Sequence, residues 1–170
     1  GAVIGGGNEA FLLKSATKSG LTMNEVALIQ KESNLPMDVI SQFHSMKEYL
    51  VYKEAGLKPV IVNGRVALVQ DIDLNYVSEL PDGAKVTNLE RMQRGLAPIE
   101  PATGEAYELH HIGQKADGTL AVLTRDQHRK NASILNQPGK ASEIDRSGFG
   151  NTRKDFWEYA GTYVFGIGGV

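Results

Sequence analysis

A chain of 170 residues with 41% hydrophobic and 22% charged residues has enough apolar material for a domain core and lacks the composition that keeps a chain unfolded. It contains no Cys, which excludes a disulfide framework, a thiolate zinc ribbon and a thiol nucleophile, and leaves any metal to His, Asp, Glu and Asn. With 18 Lys and Arg against 20 Asp and Glu, the net charge of −2 excludes a uniformly basic nucleic-acid binder, so any polyanion contact has to come from local clustering.

The opening run Gly1-Ala2-Val3-Ile4-Gly5-Gly6-Gly7 is apolar but far shorter than the roughly 20 residues of a membrane helix, and it has no basic flank. It reads as the remnant of a linker in a longer polypeptide, with no stable membrane insertion by this fragment. Asn8 can cap a short helix to about Ser19, and Thr22 with Glu25 has capping-box spacing for a second helix that Asn34-Leu35-Pro36 stops. Asp38 is placed to cap a third, its Val39, Ile40, Phe43, Met46, Tyr49 and Leu50 recurring at helical steps as far as Gly56.

The period then changes. Val60-Ile61-Val62, Asn63-Gly64 and Val66-Ala67-Leu68-Val69 predict a β-hairpin through a type I′ turn. An irregular helix is expected over Asp71 to Leu80, a turn at Pro81-Asp82-Gly83, and a helix opened by the Thr87 and Glu90 capping box and closed near Gly95. Tyr107 to His111 and Thr119 to Leu123 read as strands joined by a polar turn, and Thr124 caps a helix carrying His128. Asn151 can cap a last helix that ends at Gly161, with Phe156, Trp157 and Phe149 as packing. The fold class is therefore α+β.

Three of the four His residues, His110, His111 and His128, fall within nineteen positions. Imidazole both binds divalent transition metals and acts as a base near neutral pH, so the cluster could divide those duties. Neighbours on a regular strand point to opposite faces, so His110 and His111 can share a site only if the strand ends there, as Gly113 allows. The alternative is one buried structural His and one surface His.

The surrounding residues, Tyr107-Glu108-Leu109-His110-His111-Ile112-Gly113-Gln114-Lys115, then Leu120, Leu123-Thr124 and His128, resemble the LHH family of HNH/endonuclease VII nucleases. The likeness extends back through Gly95-Leu96-Ala97-Pro98 to Thr87-Asn88-Leu89-Glu90, and forward to Ser142-Glu143-Ile144-Asp145-Arg146, Phe149, Arg153 and Trp157. It implies a ββα-metal core over residues 87–161, preceded by a helical and hairpin pre-toxin region over 21–86, with 1–20 as linker and short helix and 162–170 as a tail. Members are mostly toxin tips of bacterial polymorphic secreted proteins, so the resemblance implies an endonuclease toxin domain delivered from the producing cell, acting in the target-cell cytoplasm, and neutralised by a cognate immunity protein.

On that resemblance His111 is assigned as general base, and His110 and His128 as ligands of one divalent metal. The family usually has another His after an Ile-Leu pair, where this chain has Ile134-Leu135-Asn136. An amide oxygen is a harder donor than imidazole, so Asn136 favours Mg²⁺ or Mn²⁺ over Zn²⁺. In an unbroken helix Asn136 would lie roughly 12 Å beyond His128, so the helix must break for it to coordinate, and Pro138-Gly139 is placed for an early end. Asn131, one turn from His128, is the fallback ligand. Arg129, Lys130, Arg146 and Gln114 are the candidate substrate-phosphate contacts, in a segment where Arg125, Arg129, Lys130, Lys140, Arg146, Arg153 and Lys154 outnumber Asp126, Glu143, Asp145 and Asp155. DNA is the favoured substrate, with RNA the alternative. The missing family His supports a second reading, a catalytically impaired ββα module that binds nucleic acid or a partner protein. A third reading, a metal hydrolase outside nucleic acids, would use Glu108 beside the His pair.

Overall fold

The computed structural model describes residues 20–137 and 146–168. The expected helix over Asn8 to Ser19 and the helix stop at Pro138-Gly139 lie outside them. No helix among the described residues is long and apolar enough to cross a membrane.

Thr22 closes the expected capping box on α1 (Met23–Ser33): its hydroxyl accepts from Glu25 N at 3.1 Å and its own N–H donates to Glu25 Oε1 at 2.8 Å. The single helix expected from Asp38 to Gly56 is two helices, α2 (Met37–Ile40) and α3 (Met46–Glu54). Ser45 sits in extended backbone and accepts from Glu48 N at 3.1 Å, while the Glu48 carboxylate turns back to accept from His44 N at 2.7 Å. This local chemistry starts a new helix. The apolar period survives the break because Val39, Ile40, Phe43, Tyr49 and Tyr52 all enter one core.

Asn63 and Gly64, at φ 52° and 77°, form the left-handed turn between β1 (Lys58–Val62) and β2 (Arg65–Val69). The irregular helix expected over Asp71 to Leu80 is replaced by β3 (Val77–Glu79), which pairs with β4 (Lys85–Thr87) across the Pro81-Asp82-Gly83 turn. Asn88, fully buried at the head of α4 (Asn88–Gln93), fixes this corner. Its amide donates to the carbonyls of Asp73 and Ile99 and accepts from Ile99 N, at 2.8 to 2.9 Å.

β5 (Glu108–His111), a tight 3₁₀ turn (Ile112–Gln114), β6 (Leu120–Leu123) and α5 (Arg125–Lys130) form the strand, loop, strand, helix unit read from the sequence. The fold is α+β, with an HNH-like core joined to the helical region and the hairpin. The main sheet has the order β1-β2-β6-β5: β6 pairs antiparallel with β5 and parallel with β2, so the sheet crosses the division expected at residue 86. One face, with Leu68, Ala121 and Leu123, packs on α1 to α3 and on Leu135 of α6 (Ala132–Leu135). The other, with Ala67, Val69, Leu109 and Val122, packs on Met92, Phe156, Trp157 and Ala160. A reciprocal bond ties the turn before β6 to the first half, since the Gln42 amide donates to Thr119 Oγ1 and accepts from Thr119 N, both at 2.8 Å.

The last helix, α7 (Arg146–Tyr159), starts before Asn151 and continues through a π-helical turn (Ala160–Val164) into α8 (Phe165–Gly168), so Gly161 does not end it. A Cβ at Gly161 would come within 2.8 to 2.9 Å of Gln93 N and Met92, so the glycine serves close helix packing instead.

The first half also buries a carboxylate. Glu48 is fully enclosed; its Oε2 accepts from Tyr52 O–H at 2.5 Å and its Oε1 stands 2.8 Å from His44 Nδ1. Burial pushes its carboxyl up to about 7 against the pull of the hydrogen bonds from Tyr52 and the His44 backbone. The native state then holds a proton that the unfolded chain, at the ordinary glutamate value of 4.5, releases, so stability falls as pH rises from about 4.5 through about 7 and levels off above. The loss expected from this group is about 3 kcal/mol. Urea unfolding across that range should show the decline in wild type and a flatter profile in Glu48→Gln; parallel profiles would remove Glu48 as the cause.

Candidate active site

The two-residue period of β5 separates the neighbouring histidines. Glu108 and His110 pair with Leu123 and Ala121 and share their face, whereas Leu109 and His111 pair with Val122 and Leu120 on the other. The strand ends at His111, whose successor opens the 3₁₀ turn.

His110 is 5% exposed, and its Nε2 is enclosed without a hydrogen-bond partner. Its ring lies 5.2 Å from that of His128 and 6.4 Å from that of Tyr52. Burial, reinforced by His128, His111 and His44, lowers its pKa to about 3, so the imidazole is neutral with a lone pair available. His128 is aimed at it by the start of α5, where Thr124 and Gln127 form a further capping box. The His128 ring is oriented by Glu108: Nδ1–H donates to Glu108 Oε1 at 2.9 Å, which turns Nε2 away from the carboxylate. Arg129 donates to the other carboxylate oxygen at 3.0 Å. Burial pushes the Glu108 carboxyl up, but the bonds from His128 and Arg129 outweigh it and hold the group below the usual range.

Asn136 lines the same cleft as His128, a space of about 600 Å³ whose walls also include Glu108, Arg129, Phe149 and Arg153. It gets there because the helix breaks at Asn131 (φ −104°, ψ 15°), restarts as α6 and stops at Asn136 in extended backbone. The Asn131 amide nitrogen donates to Gln127 O at 2.8 Å. Gln114 ties the turn after β5 to the chain past Asn136, its Oε1 accepting from Gln137 N at 2.8 Å.

On the opposite face His111 is 9% exposed, with Phe149 of α7 at 4.9 Å and Arg153 stacked 4.8 Å over that ring. Burial first, then the positive charge of Arg65, lowers the His111 pKa, so this ring too is neutral and able to accept a proton.

The structure thus brings His110 and His128 together on one face of β5 and puts His111 on the other at the strand's end, while the cleft lined by His128 and Asn136 also has Phe149, the ring packed on His111, in its wall. Of the expected phosphate contacts, Arg129 is engaged by Glu108, and Lys130, exposed on α5, lies 3.8 Å from Asp126. Arg146 opens α7, but its side chain lies outside the described residues.

Among the described residues no three His, Asp or Glu side chains converge to hold a metal ion. The two imidazoles do suit a divalent cation: the enclosed, unpartnered Nε2 of His110 is the kind of atom an ion satisfies, and the Glu108 hold on His128 is the kind of outer support that metal-bound imidazoles have. The sequence reading missed the anchoring role of Glu108, although its two-residue spacing from His110 was a usable signal. It had none for Arg65 or Tyr52, which arrive through long-range packing.

No curated protein and no solved structure matches the chain. Residues 87–161 match the LHH family model, described as a nuclease of the HNH/ENDO VII superfamily with conserved LHH; this stretch, with β5, β6, α5 and all three clustered histidines, is similar to nuclease domains of a class that generally uses a divalent metal, and the match supports nuclease activity.

Proposed function

We propose that the chain is a metal-dependent endonuclease that hydrolyses phosphodiester bonds, with DNA as its main substrate and RNA as the alternative. The observation that carries this reading is the buried, unpartnered His110 nitrogen beside a His128 ring already oriented by a carboxylate, inside the stretch that matches a nuclease family. His110, His128 and Asn136 would hold one divalent cation, with Asn131 as the fallback donor. When bound, the cation supplies counter-charge for the phosphoryl oxygens and the leaving 3′ oxygen. The amide favours Mg²⁺ or Mn²⁺, with Zn²⁺ the alternative.

The chain's own residues do the rest. His111, neutral at its strand end, accepts the proton of the attacking water. Glu108 keeps His128 in the tautomer that presents Nε2, and Arg129 balances the Glu108 charge while its remaining donors face a phosphate. Lys130 and Arg146 are further candidate phosphate contacts, and Gln114 holds the Asn136 segment against the turn after β5.

The biological setting extends the same reading: a toxin domain of a larger secreted polypeptide, delivered to competing bacteria, active in the target-cell cytoplasm and held in check by an immunity protein. Its support is the family likeness. A second reading, a ββα module that binds nucleic acid or a partner protein without cutting, is favoured by Asn136 in place of the family's usual His.

Supercoiled plasmid incubated with the full chain separates the two. Nicking with Mn²⁺ or Mg²⁺ and none in EDTA is the expected result. Retarded but intact plasmid under every metal would favour the binding module, and a strict Zn²⁺ requirement would count against Asn ligation.

A further inference from the structure

The pairing register places one more cation on the face of His111. His111 pairs with Leu120, and Leu120 with Ala67, so the three form a row across β5, β6 and β2. Arg65 precedes Ala67 by two residues and therefore shares its face, displaced towards the end of the sheet where β5 stops and the turn to β6 begins. Its guanidinium donates to the backbone carbonyl of Asp117 in that turn. This bond aims the side chain but neutralises no charge.

Two other arginines are held by carboxylates. Arg125 is paired with Glu105 at 2.7 Å, and Arg129 with Glu108 at 3.0 Å. Among the described residues no carboxylate forms an ion pair with Arg65. Beside it is a cavity of about 200 Å³ lined also by Asn63, Thr119, Thr152 and Asp155, where the single carboxylate, Asp155, makes no ion pair with Arg65. The Arg65 charge also reaches the His111 ring, second only to burial among the influences on it. A guanidinium aimed by the turn and in no ion pair among the described residues, on the face of the candidate base, is suited to a phosphodiester anion.

We propose that Arg65, supplied by the hairpin outside residues 87–161, is a substrate contact that binds a backbone phosphate of the polynucleotide on the His111 side of the sheet. The proposal rests on the nuclease reading above. It makes the first half of the chain a contributor to substrate binding as well as to packing.

The test measures binding of fluorescein-labelled DNA and RNA oligonucleotides to the full chain in EDTA as a function of salt, with Mn²⁺-supported cleavage measured in parallel. Arg65→Gln should raise Kd by about three- to tenfold and reduce the slope of log K against log salt by about one, and Arg65→Lys should restore the slope. KM should rise more than kcat falls. Lys85→Gln, on β4, should stay within about twofold of wild type in both assays. If wild type cleaves and Arg65→Gln keeps its affinity and salt slope, the proposal is overturned and the nuclease reading stands. A lowered Tm with an unchanged slope would assign Arg65 to tethering the turn and would equally overturn it. Wild type that neither binds nor cleaves either nucleic acid overturns the nuclease reading and the proposal together.

Discussion

Single-turnover cleavage by His111→Ala is expected to run about 10²- to 10⁴-fold slower than wild type, with substrate affinity little changed. The expectation follows from position and charge state. The ring sits at the end of β5, is neutral because burial and then Arg65 disfavour its protonated form, and stands on the opposite face of the strand from His110. Removing it should therefore take away proton transfer without dismantling the His110 and His128 pair. Metal affinity measured on the same variant gives the control: it should stay within a few fold of wild type. Because Phe149 packs on the ring at 4.9 Å, thermal unfolding has to accompany the kinetics. Cleavage by a folded His111→Ala at the wild-type rate would remove His111 as the base.

Replacing His128 is expected to weaken Mn²⁺ binding by more than about 100-fold, beyond the about 10- to 100-fold loss expected when only its outer partner is changed in Glu108→Gln. The order of these effects is the discriminating result. If Glu108 were itself a main donor and His128 a surface residue, the Glu108 variant would lose more. Calorimetric titration of both variants against wild type reads this without relying on activity. Asn136→His bears on the same donor set, since a third imidazole should move the preference towards Zn²⁺. No change in metal preference would place Asn136 outside the donor set.

What the sequence made legible is what local chemistry decides. Thr22, Thr87 and Thr124 announce helix starts because each capping box closes within four residues, and Asn63-Gly64 announces the hairpin because few other pairs accept two left-handed residues in succession. The break between α2 and α3 was hidden because the apolar period reports a shared core and not an unbroken axis. β3 was hidden because three residues carry too little pattern, and its partner β4 lies beyond a turn. Gly161 was misread because a glycine where two helices touch looks, in sequence, like a glycine that ends one. At the site, strand alternation already separated His110 from His111. The pairing of β2 with β6, which joins residues 67 and 68 to 120 and 121, had no local signature, and Arg65 was invisible with it.

That pairing also limits how far the histidine-bearing stretch can be moved about as a cassette. Cut free at residue 87, β6 would become an outer strand with unmet amide and carbonyl groups, and its Ala121 and Leu123 side chains would lose the helices that shelter them from water. A shortened version would tend to stick to copies of itself, so transplanting this chemistry into another protein calls for taking the hairpin and the helices before it as well.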